Sequence, residues 1–292
     1  MKTIAVLTDF SERSAHAAKF ALLIAQKIRA NVLLYNSFQI PELVGIGRHR
    51  GNHDYSEFKN KSKSNLRALS QELRDYFKET VHQPSFTPMI DFQCEEGVVA
   101  NAVAELEENE DIVLLVIGTH GTDNEQAFLM GNNCLQIIDS ANTPLLIVPE
   151  NTLLKPVEKF VLATDASMSD IDYVVSLSGL AKYFLAEVSV INIIDDFSIN
   201  EHKELNEHKF KQAIVENMIN QNIQYKSVTS YDIKGGFDWI MANINLDVMA
   251  MIHRKSSQYD YFLKSSLTKN MANSTDIPLL VFPYPVERLP KF

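Results

Sequence analysis

Residues 2–14 read KTIAVLTDFSERS, and residues 158–170 read EKFVLATDASMSD. In both, a short apolar run ends on Thr-Asp and passes into a polar stretch, and Asp9 coincides with Asp165. The match continues along the chain. NVLLYN (31–36) pairs with EVSVIN (187–192), and TPLLIVP (143–149) pairs with IPLLVFP (277–283). Self-similarity of this extent means two copies of one structural unit. The offset between copies falls from 156 residues at the start to 134 at the end. The second copy is therefore shorter in its middle, mostly opposite residues 39–57, which read as an insertion or long loop. Residues 1–149 and 157–292 are the expected domains, with 150–156, ENTLLKP, as linker.

Within each copy, strands and helices alternate. IAVLTD, VLLYNSF, IVLLVIG and PLLIV are apolar runs of strand length, and a further strand is expected over 87–94. Between them lie helical patterns. One carries Phe58, Leu66, Leu69, Leu73 and Phe77 on one face, and others span about 97–108 and 132–140. The second copy repeats the order, with Phe210, Ile214, Met218 and Ile219 on its long helix. Strands apolar on both faces imply a parallel sheet covered by helices. The fold class is therefore α/β, as two tandem doubly wound domains.

The chain has 292 residues, is 46% hydrophobic, and carries 37 acidic against 27 basic side chains. An acidic surface repels phosphate backbones and anionic lipids, which argues against nucleic acid and membrane partners. No run approaches the ~18 apolar residues of a membrane span. The N-terminus has neither the length nor the cleavage site of a signal peptide, so a cytoplasmic protein is expected. Cys94 and Cys134 form no CxxC pattern and read as buried, reduced thiols.

Chemistry is suggested at residues 118–133, GTHGTDNEQAFLMGNN. Gly118 directly follows a strand, Gly121 comes three residues later, and Gly131 opens the next helix. Glycines let backbone N–H groups approach anionic oxygens, and a helix N-terminus adds free N–H groups and a positive dipole end. Ligands of doubly wound sheets bind beyond the carboxyl ends of strands where the strand order reverses. In a 3-2-1-4-5 order, Asp9 and the Gly118 loop would face one crevice. The Asp9 carboxylate there could accept a hydrogen bond from an adenine amino group or a ribose hydroxyl.

The start VLTDFSERS, the GTHG loop, the spacing G-x2-G-x9-G and the terminal PLLIVP together resemble the universal stress protein family. The resemblance covers both copies. It implies five-stranded parallel sheets of the adenine nucleotide α-hydrolase-like type, ATP or AMP bound in some members, Mg²⁺ accompanying ATP, and dimers joined through the last strands. By the same resemblance, Asp9 would contact adenine. Ile117, Gly118, His120, Gly121, Gly131, Asn132 and Asn133 would surround ribose and phosphates. Leu7 stands where a proline is common, and Ser37 where an apolar residue flanks the base. Asn132 departs from the family's Ser or Thr after the third glycine. In the second copy HRKSS (253–257) replaces GTHG and KSSLT (264–268) replaces the third glycine, so no second site is expected.

Other candidates read more simply. Ser11 suits a helix N-cap better than a nucleophile. His120 has no evident nucleophile to serve as base. His49 and His53, with Asp54 adjacent, have metal-like spacing, but GIGRHRGNHD is glycine-rich and reads as a loop. Arg48, His49 and Arg50 could reach phosphates as a lid. Three functions stay open: a nucleotide-binding regulatory protein with little or no turnover, an interaction scaffold of the same fold, and an enzyme of a related α/β fold. The last lacks an SGG-type loop after its first strand, where TDFSE stands. The last strands, LLIV (145–148) and LLVF (279–282), are apolar sheet edges that need cover. They are expected to pair within the chain, with a homodimer as a further step.

Overall fold

The computed structural model describes residues 1–39, 52–119, 132–195, 201–217, 222–254, 276–286, 289–290 and 292. The chain divides into two compact units, Met1–Asn151 and Thr152–Phe292.

Unit one runs β1 (Thr3–Leu7), α1 (Glu12–Ile28), β2 (Asn31–Phe38), α2 (Asn52–Thr80), β3 (Ile90–Glu96), α3 (Val99–Glu107), β4 (Ile112–Thr119), α4 (Asn132–Ser140) and β5 (Leu145–Pro149). Its strands lie in the order β3-β2-β1-β4-β5, and every pairing is parallel. The reversal falls between β1 and β4, as the supposed 3-2-1-4-5 order requires. Ile112 through Ile117 are all buried, because helices cover both faces of the sheet. Along α1, Ala17, Ala18, Ala21 and Ala25 are completely buried and leave the helix backbone close to the strands.

Leu66, Leu69, Leu73 and Phe77 form the buried face of α2, while Phe58 is half-buried. The helix starts earlier than the glycine-rich reading suggested. Residues 52–57, including His53 and Asp54, are helical. No Gly or Pro occurs from Asn52 to Thr80, so nothing interrupts the helix once Gly51 is passed. His49 and the rest of the insertion up to residue 51 lie outside the described residues.

Unit two runs β6 (Lys159–Thr164), a 3-10 turn (Met168–Asp170), α5 (Ile171–Lys182), β7 (Glu187–Asp195), α6 (Glu201–Asn217), β8 (Ile223–Ser230), α7 (Ile233–Asn243), β9 (Val248–Arg254) and β10 (Leu279–Tyr284). Its order is β8-β7-β6-β9-β10, again wholly parallel. Phe210 and Ile214 are buried on α6, while Met218 and Ile219 lie outside the described residues.

The internal repeat extends to backbone strain. Phe10 and Ala166, each following the strand-end aspartate, have φ of 65° and 58°. Arg29, which caps α1, and Leu185, in the turn that follows α5, both have φ of 56°. Non-glycine residues rarely adopt this region, so four such positions in register reflect one shared loop geometry rather than local preference.

Candidate functional site

The crevice of unit one is built at the carboxyl ends of β1, β2 and β4. Leu7 closes β1 and is buried, with Tyr35 as its register partner on β2. Val6 lies opposite Val116, and the buried Ile117 follows. Leu7 and Ile117 are thus the apolar residues at the carboxyl ends of these two strands. Thr8 turns the chain out of the strand: its hydroxyl accepts from Phe10 N at 3.0 Å and lies 3.0 Å from the Ser14 hydroxyl. Asn36 Nδ2 braces the same turn by donating to Thr8 O at 2.7 Å. Asp9 is thereby lifted to the rim, where its side chain is 55% exposed.

Asp9 is already engaged. Ser11 donates to Oδ1 from its backbone N–H at 3.0 Å and also from its hydroxyl. Arg13 donates to Oδ2 at 2.9 Å, one turn along α1. Partial burial alone would raise the carboxyl, but the Ser11 and Arg13 donors outweigh it and hold Asp9 down to about 2. It is therefore an anionic, acceptor-only group at neutral pH, with lone pairs left over after these three donors. Ser11 also caps α1, as expected, by accepting from Ser14 N.

Gly118 meets a packing requirement of its own. A Cβ there would sit 2.4 Å from Arg13 O, 2.7 Å from Arg13 C and 3.0 Å from Ser14 N. The glycine exists because the first turn of α1 presses against β4. The glycine thereby helps to set the position of α1 and of Arg13. Ser37 donates to Gly97 O at 2.6 Å and ties the end of β2 to the loop before α3. Asn132 and Asn133 open α4, so its first N–H groups arise beyond the end of β4. His120, Gly121 and Gly131 lie outside the described residues.

The equivalent crevice of unit two differs in its charges. Thr164 and Asp165 repeat Thr8 and Asp9, down to the bonds from Ala166 N to Thr164 Oγ1 at 3.0 Å and from Ser167 N to Asp165 Oδ1 at 3.1 Å. Strand register corrects the sequence match by one residue. Thr119 pairs with Pro149 and His253 pairs with Pro283, so His253 corresponds to Thr119 and Ile252 to Gly118. Arg254 then follows in the place of His120. Its guanidinium donates to Asp170 at 2.6 Å and to Asp165 at 3.2 Å, and it lies 4.5 Å from the Tyr284 ring. Burial alone would lower Arg254, but the Asp170 and Asp165 carboxylates push it up.

Sequence reading missed Asp170, and with it the pairing of Arg254 from the basic HRKSS stretch. The available signal was a carboxylate in unit two where unit one has Ser14, and it becomes informative only once that position is known to be 1% exposed. A cavity of about 350 Å³ also opens in unit two, lined by Glu158, Lys159, Glu187 and Asp247 among others. It sits at the amino ends of the strands, and its carboxylates are paired, Glu187 with Lys159 at 3.2 Å and Asp247 with Lys155 at 2.5 Å. It is remote from the chemistry expected of this fold. Among the described residues, no cluster of three metal-ligating side chains occurs, and no helix is long and apolar enough to cross a membrane.

Two doubly wound units, each with an aspartate at the carboxyl end of its first strand, make this chain a tandem α/β protein. The chain belongs to the universal stress protein family, whose sequence profile matches residues 1–149. A universal stress protein of Methanocaldococcus jannaschii is 29% identical over 147 residues, covering 50% of this chain and 81% of that protein. The fold is shared with a universal stress protein from Archaeoglobus fulgidus, at a TM-score of 0.71 and 14% identity over 96% of this chain and 98% of that one. A protein of unknown function from Pseudomonas aeruginosa aligns with a TM-score of 0.57 and 14% identity, over 97% of this chain and 92% of its own.

Proposed function

We propose that unit one binds an adenine nucleotide, ATP or AMP, and that the protein uses this binding for regulation in the cytoplasm with little or no turnover. The observation that carries the reading is the Asp9 carboxylate, ionised and half-exposed at the β1/β4 reversal, in the same crevice toward which α4 opens. A carboxylate of this kind accepts a hydrogen bond from an exocyclic amino group or a ribose hydroxyl. The apolar Leu7 and Ile117 suit a base lying edge-on to Asp9. Phosphates would be held by the N-terminal N–H groups of α4, at Asn132 and Asn133, and by the loop containing His120, Gly121 and Gly131. Ser37 would stand beside the base. Mg²⁺ would come with ATP, bound by its phosphates.

Binding without turnover fits the side chains near Asp9. Ser11 caps a helix and donates to Asp9, and Ser14 is buried between Thr8 and Ser11. The Asp9 carboxyl, held down to about 2, is a weak base for the Ser11 hydroxyl, and the Ser14 hydroxyl donates to the Ser11 carbonyl. The free, buried thiols of Cys94 and Cys134 suit a reducing compartment. Pairing of the last strands, LLIV with LLVF, remains part of this reading, as does a homodimer, because apolar edge strands need cover.

A scaffold without ligand is the competing reading, and one observation favours it: Asp9 is already engaged by Ser11 and Arg13. Thermal unfolding with and without millimolar ATP or AMP decides between them. Binding to the native state raises the melting temperature, with a stabilisation that grows as the logarithm of one plus the ratio of free ligand concentration to Kd. An unchanged transition with both nucleotides rejects the nucleotide reading.

A further inference from the structure

We propose that the crevice of unit two is a guanidinium site, occupied by the chain's own Arg254. This inference stands apart from whether unit one binds nucleotide.

The argument begins at Ser14. In unit one this small side chain fills a buried position by hydrogen bonding to Thr8 and Ser11. In unit two the corresponding residue is Asp170, 1% exposed. An ionised carboxylate cannot be buried there without a cation and donors of its own. Thr164 donates to Oδ2 at 2.6 Å, Arg254 donates to Oδ1 at 2.6 Å and brings its charge, and the Ser169 hydroxyl adds a long contact to Oδ1 at 3.4 Å. The same Arg254 nitrogen lies 3.2 Å from Asp165, the counterpart of Asp9. Tyr284 provides the fourth wall, its ring 4.5 Å from the guanidinium carbon, within cation–π range. Tyr284 is held in turn against Tyr173, whose hydroxyl donates to Pro283 O at 3.0 Å.

Two carboxylates and an aromatic face make a recognisable guanidinium receptor. Relative to unit one, the two changes depend on each other. Asp170 without Arg254 is an unpaired buried charge, and Arg254 without Asp170 loses its shortest contact. A ligand bearing phosphates would have to draw Arg254 away and leave Asp170 unpaired. Unit two therefore carries its ligand within its own fold, which gives the crevice a structural task in place of a binding one.

The test is chemical rescue of the full chain. Arg254→Ala should melt lower than the natural protein by about 6 °C or more, as expected for one partner removed from a buried pair. Millimolar methylguanidinium chloride should recover part of that loss, whereas sodium chloride at equal ionic strength should not. The double variant Asp170→Ser/Arg254→Ala should be more stable than Arg254→Ala and should not respond to methylguanidinium. If Arg254→Ala fails to fold, recovery of soluble protein in the double variant supports the proposal, and its continued failure overturns it. The proposal is also overturned if Arg254→Ala melts within a degree of the natural protein, or if sodium rescues as well as methylguanidinium.

Discussion

Gly118→Ala separates a structural glycine from a ligand-contacting one. The added Cβ would lie 2.4 Å from Arg13 O and 2.7 Å from Arg13 C. Ordinary contact begins near 3.4 Å, so α1 would have to withdraw from β4 by roughly 1 Å. The atoms in the way are backbone, and no rotamer change relieves them. α1 is also fixed along its length by completely buried Ala17, Ala18, Ala21 and Ala25, so it cannot tilt without opening voids. Overpacking of this kind costs about 1–3 kcal/mol. With a urea m-value of about 2 kcal/mol/M, the midpoint for unit one should fall by roughly 0.5–1.5 M at unchanged slope. The assay is urea unfolding followed by circular dichroism, with nucleotide absent. A loss seen without ligand shows that the glycine serves α1–β4 packing. A midpoint equal to that of the natural protein, accompanied by lost nucleotide binding, would refute the reasoning and return Gly118 to the phosphate site.

Asp9→Ala should weaken ATP or AMP binding by the value of one charge-assisted hydrogen bond, about 1.5–3 kcal/mol, read as a rise in Kd by titration calorimetry. Arg13→Ala removes a competing partner from the same carboxylate. The pair is solvent-exposed and worth little, so nucleotide should bind more tightly by no more than about 5-fold, and weaker binding would place Arg13 on the phosphates instead. Ser11→Ala should destabilise unit one by about 0.5–2 kcal/mol through loss of the α1 cap, measured by the same urea unfolding. Asp9 also has a pH signature. Its carboxyl is held at about 2 against an ordinary 3.8, so its contribution is complete above the ordinary value and is lost as pH falls toward 2. The stability gap between the natural protein and Asp9→Asn should therefore shrink as pH is lowered from 5, and a gap that widens would contradict the assignment.

The tandem architecture was legible because it rests on apolar periodicity and on repeated Thr-Asp strand ends, which short-range sequence carries directly. The Ser11 cap followed from its place after the first strand, whereas the strand order and the reversal at β1/β4 were supposed from the doubly wound class. Three features were hidden for physical reasons. The helical start of α2 was obscured by glycines that stop at Gly51, one residue before the helix begins. The role of Gly118 depends on a contact with Arg13, more than a hundred residues away, that no local pattern encodes. The Asp170–Arg254 pair is separated by 84 residues, and each partner looks like a surface charge when read alone. Aligning HRKSS with GTHG shifts the register by one residue, and the basic loop it suggests hides the fact that Arg254 is paired with carboxylates.

Calorimetric titration of the intact chain with ATP and with AMP tests the central claim most directly. The open crevice of unit one and the guanidinium-filled crevice of unit two predict saturable binding of one nucleotide per chain, abolished or strongly weakened in Asp9→Ala. No heat with either nucleotide at millimolar concentration, or two nucleotides bound per chain, would contradict it.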